Sequence, residues 1–185
     1  MKKAIVFFAD GMEECEALIA VDILRRAKID VTTVSINGGL SVTSSHNIEL
    51  KADAVSDTFR ADEADIVILP GGIPGTPNLA ASSFVCDTVR DFYKTKAVAA
   101  ICAAPSVLGK LGILEGRRFT VYPGFENNLE GAEYTAEAVT VDGNIITGNG
   151  LGAAIPFALE IVSYLVSPDK AAEVASQIQY PYYGI

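Results

Sequence analysis

The stretch Ala97-Val98-Ala99-Ala100-Ile101-Cys102-Ala103-Ala104-Pro105 decides how this chain is read. Five apolar residues in unbroken succession suit a strand buried on both faces, as in a parallel sheet, better than the alternating pattern of a half-exposed strand. Proline fits the first turn of a helix, where its missing N–H removes no hydrogen bond. A buried strand therefore runs straight into a helix, and Cys102 occupies the turn, the position of a nucleophile elbow. In open α/β sheets ligands collect beyond the carboxyl ends of strands, so a residue placed there faces the usual site.

The flanking sequence supplies the rest of such a sheet. Residues 4–8 form a short apolar run closed by Asp10-Gly11, which reads as another buried strand. Residues 13–27 carry apolar side chains at helical spacing, with acidic residues at the start and Arg25-Arg26 at the end, as the helix dipole favours. Strands follow at 31–36 and 66–69, the latter ended by Pro70-Gly71-Gly72, and a helix at 84–93. Between them, 37–61 contains Gly38-Gly39 and short β-prone pieces at 40–43 and 48–50, read as a small hairpin and a loop. After the cysteine come a short helix at 105–110 and strands at 119–121, 139–141 and 145–147, the last two joined at Asp142-Gly143. Helices at 153–165 and 168–178 close the chain. Alternating strands and helices predict one doubly wound α/β domain over residues 1–185, a mostly parallel sheet covered on both faces.

Composition narrows the function. A net charge of -9 provides no electrostatic footprint for nucleic acid or an anionic membrane, which leaves small molecules or proteins as partners. The opening Met-Lys-Lys precedes an apolar run that stops at Asp10, too short for a secretion signal, and no run approaches the length that crosses a bilayer. Three cysteines, an odd number and far apart, do not resemble a disulfide framework and suit a reducing, cytoplasmic compartment. One histidine with scattered cysteines offers no metal-ligand spacing, so no metal is expected. The segment Gly71-Gly72-Ile73-Pro74-Gly75 also fails the spacing of the dinucleotide fingerprint.

Two readings of Cys102 stand side by side. A free cysteine is commonly a small buried hydrophobe. At the head of a helix, however, free N–H groups and the positive end of the dipole lower a thiol pKa and favour the thiolate. Cys15 and Cys86 fall within helical patterns and read as structural. A reactive thiolate needs a proton partner, and the loop after the first strand, ending at the same sheet edge, carries Glu13, Glu14 and Glu16. A carboxyl desolvated there would have a raised pKa and could move protons, but spacing does not choose among the three, and first-turn acids are also favoured simply by the dipole. Gly71 and Gly72 would let backbone N–H groups approach a ligand as an oxyanion site, where a plain turn is the competing account.

Three separated motifs then coincide. Ala9-Asp10-Gly11-Met12-Glu13-Glu14-Cys15-Glu16, Leu69-Pro70-Gly71-Gly72 and Ala99-Ala100-Ile101-Cys102-Ala103-Ala104-Pro105 together resemble the ThiJ/PfpI superfamily, in the branch of the parkinsonism-associated deglycase. Thr147-Gly148-Asn149-Gly150 and residues 172–177 look like its C-terminal part, so the likeness spans nearly the whole chain. The resemblance implies a flavodoxin-like three-layer sandwich, usually a homodimer. It makes Cys102 the oxidisable nucleophile, selects Glu16 as the protonated acid beside it, and places the amides of Gly71, Gly72 and Ala103 at the sulfur or oxyanion. Arg25 and Arg26 match a basic pair of the first helix. The implied activities are glyoxalase-type conversion of small α-oxoaldehydes, removal of early glycation adducts, and a redox-linked sensor or chaperone role, all without a cofactor.

Two departures from the family pattern matter. Where many members place a histidine before a proline, this chain reads Tyr122-Pro123. A phenol is a poor base near neutral pH, so Tyr122 is expected to orient substrate rather than abstract protons. The peptidase branch has histidine after its cysteine, whereas Ala103 stands here, which argues against proteolysis. The lone histidine, His46, lies in a loop where relatives often carry arginine. It reads as solvated, or, if subunits pair as in relatives, as a group approaching the partner's site together with Arg26.

Overall fold

The computed structural model describes residues 1–129 and 131–181. Its elements in chain order are β1 (Lys3–Phe8), α1 (Glu14–Arg26), β2 (Asp30–Ser35), β3 (Ser41–Thr43), β4 (Glu49–Lys51), β5 (Ala54–Val55), β6 (Ile66–Leu69), α2 (Gly75–Ala81), α3 (Ser83–Thr95) and β7 (Ala97–Ile101). There follow α4 (Pro105–Lys110), β8 (Arg118–Phe119), β9 (Glu133–Tyr134), β10 (Val139–Asp142), β11 (Ile145–Gly148), α5 (Ala154–Leu165) and α6 (Pro168–Gln177).

Seven strands form the main sheet in the order β10-β11-β7-β6-β1-β2-β5. All its pairings are parallel except the β10–β11 hairpin at one edge. The central strands are buried on both faces because alternate side chains feed two separate cores. Ala4, Val6 and Phe8 of β1 and Ile66 and Ile68 of β6 join Leu24 of α1, Phe157 and Ile161 of α5 and Val174 of α6. Ile5, Phe7, Val67 and Leu69 point the other way, to Val85, Val89 and Phe92 of α3 and Val107 and Leu108 of α4. Burying one such side chain is worth roughly 1.5–3 kcal/mol, and the two cores fix the sheet between its helical layers. The predicted flavodoxin-like sandwich is the observed one.

The differences have local causes. Helix α2 shows no helix signal in the sequence, because it starts at Gly75 and contains Pro77. That proline sits in the first turn, where its missing N–H costs no helix bond. Strands β5 and β9 hold two residues each, too few for a pattern to register. The expected strand at 119–121 is shorter and earlier, as β8, and pairs with β9 outside the main sheet.

Candidate active site

The parallel strands β1, β6 and β7 lie side by side, so the loops after them converge at one edge. The loop after β1 leads into α1, whose N-cap is Glu13; its carboxylate accepts the backbone N–H of Glu16 at 2.6 Å. Glu16 begins the inner stripe of the helix continued by Ala20, Ile23 and Leu24, and it is only 1% exposed. Its Oε2 accepts the backbone N–H of Gly71 at 2.9 Å, while Oε1 is buried without a hydrogen-bond partner among the described residues.

Cys102 follows β7 with φ 62, the left-handed region that a non-glycine residue occupies at a cost of about 1–2 kcal/mol. The backbone holds it there from both sides. Its N–H donates to the Gly148 carbonyl and its own carbonyl accepts from Tyr122, each at 2.9 Å. The half-buried sulfur faces the backbone N–H groups of Gly72 and Ala103 and interacts directly with the Glu16 carboxyl.

Gly71 is required for this approach. A methyl group on it would lie 2.5 Å from the Cys102 Cβ and 2.7 Å from the Glu16 Oε2. Gly72, at φ 93, would collide with the backbone of Gly11, Met12 and Glu13. Sequence reasoning gave both glycines the same role, but the structure separates them. The Gly71 N–H is committed to Glu16, so the backbone donors left at the sulfur are Gly72 and Ala103.

Burial pushes Glu16 up to about 7, with the charge of Glu13 adding to the rise and the hydrogen bonds to Cys102 and Gly71 opposing it. The thiol is pushed up to about 12, by burial first and then by the Glu16 charge and hydrogen bond, against the pull of the Ala103 and Gly72 amides. This corrects the expectation that the helix head alone ionises the sulfur. The helix α4 starts with Pro105, which has no N–H, and spans six residues, so what faces the sulfur is two turn amides rather than an array of free donors. Burial and the Glu16 charge both oppose ionisation of Cys102, so protonation of Glu16 removes one of the two obstacles to the thiolate.

The other predicted residues divide. Tyr122 is next to the elbow, half exposed, packed against Gly150 and edge-on to Phe125. Arg26 pairs with Asp22 at 2.7 Å and Arg25 with Asp53 at 3.0 Å, both away from the Cys102 turn within this chain. His46 is exposed, as read from the sequence, and its Nδ1 also lies 2.8 Å from the Glu14 Oε1. That contact was missed, as were Gly148 and Gly150 as supports of the elbow, because only tertiary structure brings them together. Cys86 donates to the Ala80 carbonyl, but Cys15 is exposed on α1 and fills no core. Among the described residues no helix is long and apolar enough to cross a membrane.

A parallel α/β sandwich with a strained cysteine at a strand-to-helix turn and a buried acid against its sulfur defines a class of cysteine-elbow proteins. Comparison with known proteins narrows the class: residues 2–164 match the DJ-1/PfpI family, and the chain belongs to that family. It is 40% identical over 184 residues to protein dj-1beta of Drosophila melanogaster, covering 98% of each chain. It is 32% identical over 193 residues to the glutathione-independent glyoxalase DJ-1 of Schizosaccharomyces pombe, covering 98% of this chain and all of that one (100%). The solved structure of oxidized Toxoplasma gondii DJ-1 superposes with a TM-score of 0.95 at 31% identity, over 98% of this chain and 100% of that one.

Proposed function

We propose that this chain is a cysteine-dependent enzyme of the glyoxalase or deglycase type, acting on small α-oxoaldehydes or early glycation adducts. The observation that carries the reading is the buried Glu16 carboxyl against Cys102, with two backbone N–H groups directed at the same sulfur. A relative of this chain is named a glutathione-independent glyoxalase. The family resemblance supports a homodimer, and the odd number of scattered cysteines supports a cytoplasmic setting.

The carboxyl and thiol share their protons as a pair, and the first leaves near 7. In the productive form Glu16 keeps a proton and Cys102 is the thiolate. The sulfur adds to the aldehyde carbon, forming a C–S bond, while the carbonyl electron pair moves to oxygen under the Gly72 and Ala103 amides. Glu16 gives that oxygen its proton, completing a hemithioacetal. The Glu16 carboxylate then takes the proton from the former aldehyde carbon and returns it to the neighbouring carbonyl carbon as the electron pair shifts through an enediol, while the hydroxyl proton passes from the first oxygen to the second. This leaves the thioester of a 2-hydroxy acid. Water cleaves it, releasing the acid and regenerating the thiol, so aldehyde plus water equals product and no oxidant or cofactor is consumed. With a glycated adduct the captured amine or thiol departs as well. Tyr122, beside the turn, orients substrate by hydrogen bonding.

The test is lactate formation from methylglyoxal. Cys102→Ala should abolish it, and Glu16→Gln should lower kcat by about 10²–10⁴-fold, the usual worth of a general acid–base. Full turnover in either variant ends this mechanism.

A second reading, a redox sensor or stress chaperone, is favoured by one feature. The donors that would stabilise an oxyanion would equally hold the oxygens of a sulfinate, with Glu16 as an acid donor. Two peroxide equivalents would take the thiol through sulfenic to sulfinic acid. Selective oxidation at Cys102 by mass spectrometry, with no lactate formed, would make this the function.

A further inference from the structure

The contact between His46 and Glu14 is part of a larger arrangement. The β3–β4 hairpin is tied to the loop after β1 by three hydrogen bonds, Thr43 N–H to Asp10 Oδ1 at 2.7 Å and Gly11 N–H to the Thr43 carbonyl and Ser45 N–H to the Met12 carbonyl, both at 2.8 Å. These bonds carry His46 over the start of α1. One ligand-type atom from each of Glu13, Glu14 and His46 lies within 4.8 Å of the other two. Glu14 is 6% exposed, and its Oε2 is buried without a hydrogen-bond partner among the described residues. The nearby Ser44 hydroxyl favours its charge but does not reach hydrogen-bond geometry with that oxygen. Its sister oxygen meets the imidazole, so the buried carboxylate that belongs to the cluster still has an acceptor to satisfy.

We propose that Glu13, Glu14 and His46 form a binding site for a divalent cation of the zinc type. Two carboxylates and an imidazole are a mixed oxygen and nitrogen donor set, which suits zinc and its first-row neighbours, whereas magnesium and calcium take oxygen alone. A tetrahedral ion with ligand bonds of ~2.1 Å holds its ligands roughly 3.4 Å apart, so the 2.8 Å contact between His46 and Glu14 opens and any wider separation, none above 4.8 Å, closes. The His46 side chain is 67% exposed and has the freedom to move. Glu13 is anchored, because its Oε2 already accepts the Glu16 N–H. Three protein ligands leave one position for water. The proposal does not rest on the sulfur chemistry, although Glu13 also caps the turn that carries Glu16.

Thiols compete for zinc, so the measurement uses the full chain with Cys15→Ser and Cys102→Ser in the background. Titration with Zn²⁺ by calorimetry should give saturable binding of one ion per chain. Adding His46→Ala, a change at an exposed side chain, should weaken it by about tenfold or more. Glu14→Gln should do the same, and the His46 ring resonances should shift on Zn²⁺ addition. Absence of saturable binding, binding unchanged by His46→Ala, or unmoved His46 resonances would each overturn the proposal.

Discussion

A carboxyl as buried as that of Glu16 keeps its proton more tightly in the folded chain than in the unfolded one, and this ties stability to pH. Its ordinary value is 4.5 and its folded value about 7, while the thiol's ordinary value of 9.0 lies above that window. Between the two Glu16 values the folded state binds a proton that the unfolded state has released. The group's contribution is therefore complete below pH ~4.5 and is lost as pH rises through about 7, on the order of 3 kcal/mol in all. Urea unfolding at pH 5 and pH 8 should show wild type losing stability across that interval and Glu16→Gln losing much less. Equal losses would mean that burial does not hold the proton. At this scale the site was half legible. The strand-to-helix turn singled out Cys102 from residue order alone, but Glu13, Glu14 and Glu16 look alike in sequence. Only the turn of α1, which buries Glu16, leaves Glu13 as cap and brings Glu14 under His46, distinguishes them.

The elements carry the site by approaching one another very closely. The loop after β6 passes the elbow after β7 at Gly71, where there is no room for a Cβ between the Cys102 side chain, the Glu16 carboxylate and the Ile101 carbonyl. Gly71→Ala should therefore cost about 1–3 kcal/mol, the usual price of overpacking, and disturb Glu16 as well. A loss of stability accompanied by a changed pH dependence of Cys102 alkylation fits this account; unaltered stability and alkylation contradict it. Long, strongly patterned elements were legible, since β1, β6, β7, α1, α3 and α5 are apolar runs or helical stripes that bury themselves in only one way. What escaped was set by other forces. Helix α2 hides behind glycine and proline, and β5 and β9 exist only because neighbouring strands offer hydrogen bonds to two residues.

Taken whole, the molecule places a strained residue on its most rigid part and an exposed hairpin beside it. Strands β1, β6 and β7 have neighbours on both sides and side chains buried on both faces, so their amides should exchange with solvent only through global unfolding. The β3–β4 pair lies outside the main sheet and buries chiefly Val42, so its amides should exchange through local opening. Cys102 lies in a turn, where fast exchange is the ordinary expectation, yet its N–H donates to Gly148 of β11 and its carbonyl accepts from Tyr122. The left-handed backbone at φ 62 persists only if those bonds hold it. Hydrogen exchange should accordingly group the Cys102 amide with β7 and not with the hairpin. If that amide exchanged as fast as those of β3 and β4, the elbow would be opening on its own. The two amides facing the sulfur would then not be fixed before substrate arrives, and the preorganisation on which the proposed chemistry relies would be lost.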